Sequence, residues 1–170
     1  IILTFLLSSC QFSTNFSSGV KGNGNVETVE RPINDFNQIK VSRGLDVYLT
    51  QADEIELRVQ ADENLHDIIM TKVENNILHI YADENIGSSS ARKVLVNFID
   101  VNKISSTSGS EIFSTNVFKI EDIELNSTSG SQMEIDITAN VIECNATSGS
   151  QIKLSGTANK LYADATSGSS

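Results

Sequence analysis

Hydroxyl side chains that could act as nucleophiles are concentrated in one tetrapeptide, Thr-Ser-Gly-Ser. Its four copies begin at Thr107, Thr128, Thr147 and Thr166, at spacings of 21, 19 and 19 residues. A serine attacks a substrate only when a base lies within hydrogen-bond reach, and the two histidines, His66 and His79, lie outside the repeats. His79 alternates with the apolar Leu78 and Ile80, so we expect it to face solvent.

No other motif in the sequence indicates catalysis or a bound cofactor. The chain lacks G-x-S-x-G, H-E-x-x-H, C-x-x-C and a phosphate-binding loop. Calcium would need several converging carboxylates, whereas the repeats offer only hydroxyls and carbonyls. We also expect the acidic side chains not to align in columns, as a polysaccharide-cleaving site would require. The sequence therefore predicts no catalytic residue, no metal site and no cofactor.

The charge of the chain argues against one class of partner. Its 170 residues carry a formal net charge of −10, and its Lys and Arg residues form no cluster. Binding to nucleic acid needs clustered cations that contact phosphates. We therefore predict no nucleic-acid partner, and we interpret the scattered acidic residues as a solvated surface.

The cysteine that ends the first apolar run indicates a covalent lipid. Residues 1–10, IILTFLLSSC, are too short to span a bilayer, and Leu7-Ser8-Ser9-Cys10 resembles the bacterial lipobox. This predicts that residues 1–9 are part of a signal peptide, that cleavage occurs before Cys10, and that Cys10 carries the lipid. An ordinary signal peptide with a chance cysteine is the alternative. Because the sequence does not begin with Met, we expect it to start inside the signal.

The polar segment after Cys10 is predicted to be a flexible tether over residues 10–29. It is rich in Ser, Asn and Gly and shows no periodicity. Together, the lipid and the tether predict a membrane-attached protein of the cell envelope, at the outer membrane or cell surface. Two or three acyl chains make such attachment stable.

Residues 30–170 show the period-two alternation of half-buried β-strands. In DEIELRVQA, for example, Ile55, Leu57 and Val59 lie on one face and charged residues on the other. Only NLHDIIMTKV, residues 64–73, has helical spacing, which predicts one or two helical turns.

Alignment of the chain on the tetrapeptide reveals apolar columns. Three residues before each copy lie Ile104, Leu125, Cys144 and Ala163. This pattern predicts that each repeat forms two short strands joined by a small turn. One pair of short strands cannot bury its apolar face alone, but stacked repeats can cover one another's apolar faces. The sequence predicts an all-β, single-chain, right-handed parallel β-helix, or β-solenoid, with coils of about 19–21 residues.

The turn glycines of this solenoid are predicted to lie in one file at successive corners. These glycines are Gly109, Gly130, Gly149 and Gly168. Cys144, in an apolar column, is predicted to be a buried core residue rather than a reactive thiol. Since no segment after the last repeat could cap the stack, we expect further coils beyond Ser170.

The pattern over residues 30–170 resembles the putative auto-transporter adhesin, head GIN domain family, a domain of unknown function. The resemblance rests on Arg31 and Phe36 before the Ile39-x-Val41 strand, on the Ala-Asp-Glu-Asn-Leu turn with its following strand, and on the Ser-Gly repeats. It implies a right-handed β-helix-like fold in bacterial envelope proteins. It brings no catalytic residue to this chain.

Three functions fit these observations. The first is a non-catalytic, adhesin-like binding module that is anchored in the membrane through Cys10 and contacts a glycan or protein ligand. The second is a carbohydrate-active enzyme, because β-helices also carry polysaccharide lyases and hydrolases. The third is an envelope signalling or structural scaffold that docks a partner protein. The sequence favours the first, although a fold does not fix a function.

Overall fold

The structure, a computed structural model, describes residues 19–170. Its regular elements are twelve β-strands and one short 3₁₀ turn. The strands are β1 (Val26–Glu30), β2 (Gln38–Ser42), β3 (Asp46–Gln51), β4 (Glu56–Asp62), β5 (Ile69–Glu74), β6 (Ile77–Ala82), β7 (Arg92–Phe98), β8 (Lys103–Ser106), β9 (Glu111–Ser114), β10 (Phe118–Thr128), β11 (Gln132–Thr147) and β12 (Gln151–Ala165). The prediction of an all-β chain is confirmed.

All twelve strands belong to one sheet that curls around a single apolar core. The order along the sheet is β1-β4-β7-β3-β9-β11-β10-β8-β2-β6-β5, and β12 pairs with β11. Two arms of this sheet face each other, because β11 bends near Asn140: its first half pairs with β9 and its second half with β10. Inward side chains of both arms alternate with outward ones, as a half-buried strand requires.

The last third of the chain forms a regular parallel stack. β8, β10, β11 and β12 pair in parallel on one arm, and β9, β11 and β12 do so on the other. From β11 to β12 every pair joins residues 19 apart, as Met133 with Ile152 and Cys144 with Ala163. The predicted apolar columns are buried on β10 and β11, as at Leu125 and Cys144. On β12, the last strand of the stack, their members are half-buried or exposed, as at Ile152 and Ala163. Each fully buried Leu or Ile contributes about 1.5–3 kcal/mol.

The region before residue 100 is less regular, and here the structure departs from a uniform parallel coil over 30–170. β6 and β7 do pair in parallel with β2 and β3. However, β5 is antiparallel to β6, β4 is antiparallel to β7, and β1 is antiparallel to β4. These three antiparallel strands lie at the two ends of the strand order, where β1 and β5 are edge strands of the sheet.

The predicted helical turn is replaced by shorter structure. A 3₁₀ turn spans Glu63–Leu65, and the next residues enter β5 at Ile69. Leu65 and Ile69 are buried, so the helical spacing arises from one turn followed by one strand. Within the described part of the chain, no helix is long and apolar enough to cross a membrane.

The folded region begins earlier than the predicted boundary at residue 30. Val20 pairs with Ile86, and β1 begins at Val26. The amide of Gly24 donates to the Asp62 carboxylate at 3.0 Å. Residues 19–29 therefore pack on the domain, and the tether prediction now concerns residues 10–18. These residues, the predicted signal segment and Cys10 lie outside the described residues.

Candidate functional site

The four Thr-Ser-Gly-Ser copies adopt the same corner conformation. In each, the first serine and the glycine are both left-handed, with φ of 57° and 69° at Ser108 and Gly109 and of 56° and 70° at Ser129 and Gly130. Glycine takes this conformation without a steric cost. The two left-handed residues turn the chain from one arm of the sheet to the other.

Successive corners hydrogen-bond directly to one another. The amide of Gly109 donates to the carbonyl of Ser129, that of Gly130 to Ser148, and that of Gly149 to Ser167, each at 3.1 Å. The structure therefore places Gly109, Gly130, Gly149 and Gly168 in one file, one strand spacing apart. We call the residues of the four copies, 107–110, 128–131, 147–150 and 166–169, the corner ladder.

The last serine of the first three copies points into the protein. Ser110, Ser131 and Ser150 are buried. The Ser131 hydroxyl donates to the carbonyl of Ser106 at 2.9 Å, and the Ser150 hydroxyl to that of Ser127 at 2.7 Å. A net gain of about 1 kcal/mol is typical for such a bond. These hydroxyls therefore join each coil to the one before it.

The other hydroxyls of the corner ladder lie toward solvent. Ser108, Ser129, Ser148 and Ser167 are exposed, and the threonine before each is half-buried or exposed. The Thr166 hydroxyl donates to the Thr147 hydroxyl at 3.2 Å. Parallel strands lie about 4.8 Å apart, so this edge presents small donors and acceptors at a fixed repeat.

A fifth corner, which lacks the tetrapeptide and was not predicted from the sequence, precedes the ladder. Arg43 and Gly44 join β2 to β3 and have φ of 63° and 71°, the same pair of left-handed residues. The amide of Gly44 donates to the Ser110 hydroxyl at 3.1 Å, which links this corner to the first repeat. The available sequence signal was a glycine between two alternating strands, with arginine in place of serine.

Outward polar side chains beside the corner ladder also form rows. Ser105, Asn126, Asn145 and Asp164 are successive cross-strand partners. The Asn145 amide donates to the Asn126 side-chain oxygen at 3.1 Å. Stacked amides of this kind are typical of in-register parallel strands. The row extends the regular polar surface onto the outer face.

The expectation that acidic side chains do not align is wrong at one place. Glu124 and Glu143 are cross-strand partners on the outer face. Hydrogen bonds from Asn126 and Lys103 hold the pKa of Glu124 below its ordinary value, and these bonds outweigh its partial burial. A general acid needs a raised pKa, so Glu124 is suited to pairing with Lys103, 3.0 Å away, and not to donating a proton.

The two histidines do not contact the corner ladder. His79 lies half-buried on β6 between its partners Lys72 and Lys40. Both ring nitrogens of His66 are buried and have no hydrogen-bond partner within residues 19–170. Over the same residues, no group of three His, Cys, Asp or Glu side chains could hold a metal ion.

The described cysteine is a core residue. Cys144 is buried as a free thiol between Leu125 and Ala163, its partners on β10 and β12. Burial raises the pKa of its thiol to about 11. The thiolate is the nucleophilic form, so Cys144 is suited to packing. The predicted lipidation site, Cys10, lies outside the described residues.

Solved structures share this fold. The chain superposes on a putative adhesin from Bacteroides fragilis NCTC 9343 with a TM-score of 0.78 and 19% identity, covering 84% of this chain and 68% of that one. A putative adhesin from Parabacteroides merdae ATCC 43184 gives a TM-score of 0.71 and 19% identity, covering 85% of this chain and 60% of that one. A putative lipid binding protein from Parabacteroides distasonis ATCC 8503 gives a TM-score of 0.66 and 22% identity, covering 82% of this chain and 70% of that one.

These identities establish similarity of fold, and the chain spans only 60% of the Parabacteroides merdae protein. None of the curated proteins compared with the chain matches it. The sequence does match the family described as putative auto-transporter adhesin, head GIN domain, over residues 35–170. This range includes β2–β12, the corner ladder and the Arg43-Gly44 corner. The chain therefore belongs to the putative auto-transporter adhesin, head GIN domain family.

Proposed function

We propose that this chain is a lipid-anchored, non-catalytic module of the bacterial cell envelope that binds an extended ligand along its corner ladder. The ligand class is a glycan or a protein segment with a regular repeat. Family membership supports an adhesin-like role, and Leu7-Ser8-Ser9-Cys10 supports the lipid anchor.

One observation carries the binding proposal: the corner ladder repeats one exposed serine and one half-buried or exposed threonine at one strand spacing. Thr128, Thr147 and Thr166 follow one another on successive strands. An extended ligand can meet several equivalent groups on such an edge, and each weak contact adds to the next. Its buried serines already donate to backbone carbonyls, which supports a structural role for them.

We also propose that the parallel stack is a segment of a right-handed β-solenoid. Parallel strands joined by crossovers are right-handed in nearly all known sheets. The 19-residue register between β11 and β12 supports a coil of constant length. A crystal structure with left-handed connections between β10, β11 and β12 would contradict this proposal.

The lipid anchor is tested by changing one cysteine at a time in the full-length precursor. Cys10→Ser should abolish acylation and move the protein from the membrane fraction to the soluble fraction. Cys144→Ser is the matched control, because Cys144 is the second cysteine of the 170 residues and is buried in the domain. Unchanged fractionation of Cys10→Ser would refute the anchor.

The binding surface is tested with two pairs of threonines on adjacent coils. Thr147→Val/Thr166→Val removes outward hydroxyls of the corner ladder, which lie 3.2 Å apart. Thr138→Val/Thr157→Val removes a similar pair, 3.5 Å apart, outside the ladder. In a screen of envelope polysaccharides and proteins, only the first pair should weaken saturable binding. Equal effects would contradict the proposal.

The same screen separates binding from turnover. Release of reducing ends or unsaturated products from a polysaccharide would favour the carbohydrate-active enzyme. Glu124→Gln and Glu143→Gln would then show whether the acidic pair is responsible. Crosslinking of one envelope protein, with no glycan bound, would favour the scaffold.

A further inference from the structure

A depression of about 440 Å³ opens beside the Arg43-Gly44 corner. Its lining residues are Arg43, Gly44, Asn85, Ile86, Arg92 and Ser108. Among these described residues there is no carboxylate, although the whole chain has a net charge of −10. Asp83 and Glu84 lie on the same loop but do not line the depression. The site is therefore locally basic on an acidic protein.

The chain has four arginines, and two of them meet at this depression. Within the described residues neither of these two forms an ion pair, whereas Arg58 pairs with Glu56 at 3.2 Å. Arginine is well suited to phosphate because its planar guanidinium can donate two parallel hydrogen bonds.

The loop after β6 holds the Arg43 guanidinium in place, and Arg92 lies beside it at the corner. One amino group of Arg43 donates to the carbonyls of Ala82 and Asp83, each at 2.8 Å. Arg92 lies over the corner: a Cβ on Gly44 would be 3.9 Å from its Nη1. The glycine thus leaves space above the corner, and the arginines lie beside that space.

Two lysines lie on the strands of the neighbouring arm, on either side of His79. Lys40, His79 and Lys72 are cross-strand neighbours on β2, β6 and β5, and Lys40 is exposed. Glu74 neutralises Lys72 at 2.9 Å. Lys40 therefore adds one positive charge here, and none of the ion pairs among residues 19–170 involves it.

The segment that leads to Cys10 leaves the domain at the rim of the depression. Val20 donates its amide to the carbonyl of Asn85 at 2.7 Å and accepts from the amide of Gly87 at 3.0 Å. Gly19 lies nine positions after Cys10 in the sequence, and an extended chain spans at most about 3.5 Å per residue. A lipid on Cys10 would hold the depression within roughly 30 Å of the membrane.

We propose that this depression binds the phosphate of an anionic lipid headgroup, with Arg43 and Arg92 as its ligands. The proposal rests on the lipid anchor at Cys10, which brings the site to the membrane. Bound in this way, the domain would hold the Arg43-Gly44 corner toward the bilayer.

The test measures sedimentation of the full chain carrying Cys10→Ser with lipid vesicles at low salt. Vesicles are phosphatidylcholine alone or phosphatidylcholine mixed with phosphatidylglycerol in equal parts. We expect binding only to the mixed vesicles, weakened about fivefold by Arg92→Gln and more by Arg43→Gln/Arg92→Gln. Lys119→Gln is the control, because it removes the same charge from an exposed residue near the start of β10, which does not line the depression.

Equal weakening by Arg92→Gln and Lys119→Gln would overturn the proposal, since charge alone would then explain binding. Equal binding to both vesicle types would also overturn it. Inorganic phosphate is the soluble probe: if it shifts the amide resonances of Gly44 and Ser108 while mixed vesicles do not bind, the site takes free phosphate and the membrane assignment is wrong. The protein in this test carries Cys10→Ser and has no lipid. A negative result would therefore overturn the phosphate site alone, and the lipid anchor would still be decided by the fractionation test.

Discussion

The parallel stack, residues 103–165, and the region before it, residues 26–98, share one core but are stabilised differently. In the stack, each coil repeats the hydrogen bonds of the last, so the same serine–carbonyl bond recurs at Ser131 and Ser150. In the earlier region, single long-range contacts hold unlike segments together, as Asp62 holds Gly24 and Ser90. The stack is therefore stabilised by many equivalent hydrogen bonds, whereas the earlier region depends on a few contacts that do not recur.

The largest expected effect is at the aromatic contact between the two regions. Phe98 on β7 and Phe118 on β10 are fully buried and meet edge to face, with ring centroids 4.9 Å apart. Phe98→Ala should lower the free energy of unfolding by about 3–5 kcal/mol, as measured by urea denaturation. Val117→Ala, at a half-exposed position next to Phe118, should change it by less than about 0.5 kcal/mol.

The same variant tests whether the regions unfold together. A double-mutant cycle with Phe118→Ala should give a coupling energy of about 0.5–1.5 kcal/mol. Two separate transitions in the wild-type protein, or no coupling, would contradict a shared core and make the regions independent units.

The next effect concerns the irregular region and depends on pH. Burial opposes ionisation of Asp62, but backbone amides of Gly24, Ser90 and Ala91 donate to it and hold its pKa below the ordinary value. A group with a lowered folded-state pKa stabilises the protein above its unfolded pKa, about 3.9 for Asp. That stabilisation is lost as pH falls through the folded-state pKa.

Asp62→Asn should therefore lower the free energy of unfolding at pH 7. The difference in this free energy between the variant and the wild type should shrink at acid pH below about 4. Denaturation at several pH values measures this gap. Asp100→Asn, which removes the same charge from an exposed position, is the control and should leave stability nearly unchanged. A gap that stays constant with pH would contradict the role assigned to the carboxylate.

A smaller effect tests whether one corner geometry serves both regions. Gly44 and Gly130 have φ of 71° and 70°, and an added Cβ would meet no closer atom than 3.9 Å at either. Backbone strain alone should therefore destabilise Gly44→Ala and Gly130→Ala by a similar amount, about 1–2 kcal/mol each. Asn tolerates this conformation better than Ala, so Gly130→Asn should cost less. A large loss at only one glycine would show that the corners differ.

The smallest effect concerns the amide row, a feature of the stack. Asn145→Ala removes one exposed hydrogen bond to Asn126 and should cost about 0.5 kcal/mol, the low end for such bonds. Asn102→Ala, at an exposed position before β8, should cost less. A loss above about 1.5 kcal/mol at Asn145 would mean that the row acts cooperatively.

The sequence predicts the stack well because its signals are local and repeated. The column Ile104-Leu125-Cys144-Ala163 follows directly from the spacing of the repeats, and these residues are cross-strand partners. The Arg43-Gly44 corner was missed because arginine replaces the serine of the repeat, although the backbone is the same.

The earlier region could not be predicted because its contacts join distant segments. Asp62 receives amides from residues 38 and 28 positions away, and nothing near Asp62 in the sequence specifies them. The arginines of the depression, Arg43 and Arg92, come together only because β7 pairs with β3. A composition rich in Ser, Asn and Gly predicted a flexible tether over residues 10–29, yet residues 19–25 hydrogen-bond to the domain.

The constant register between β11 and β12 lets this protein vary in length by whole units. Because partners lie 19 residues apart, removing residues 129–147 would join Thr128 to Ser148 and place every later side chain in an equivalent environment. A deletion of 18 residues would instead reverse the inward and outward faces of the next strand. Gene duplication within such a stretch can lengthen or shorten the molecule without redesigning its interior, so evolution can adjust reach separately from fold.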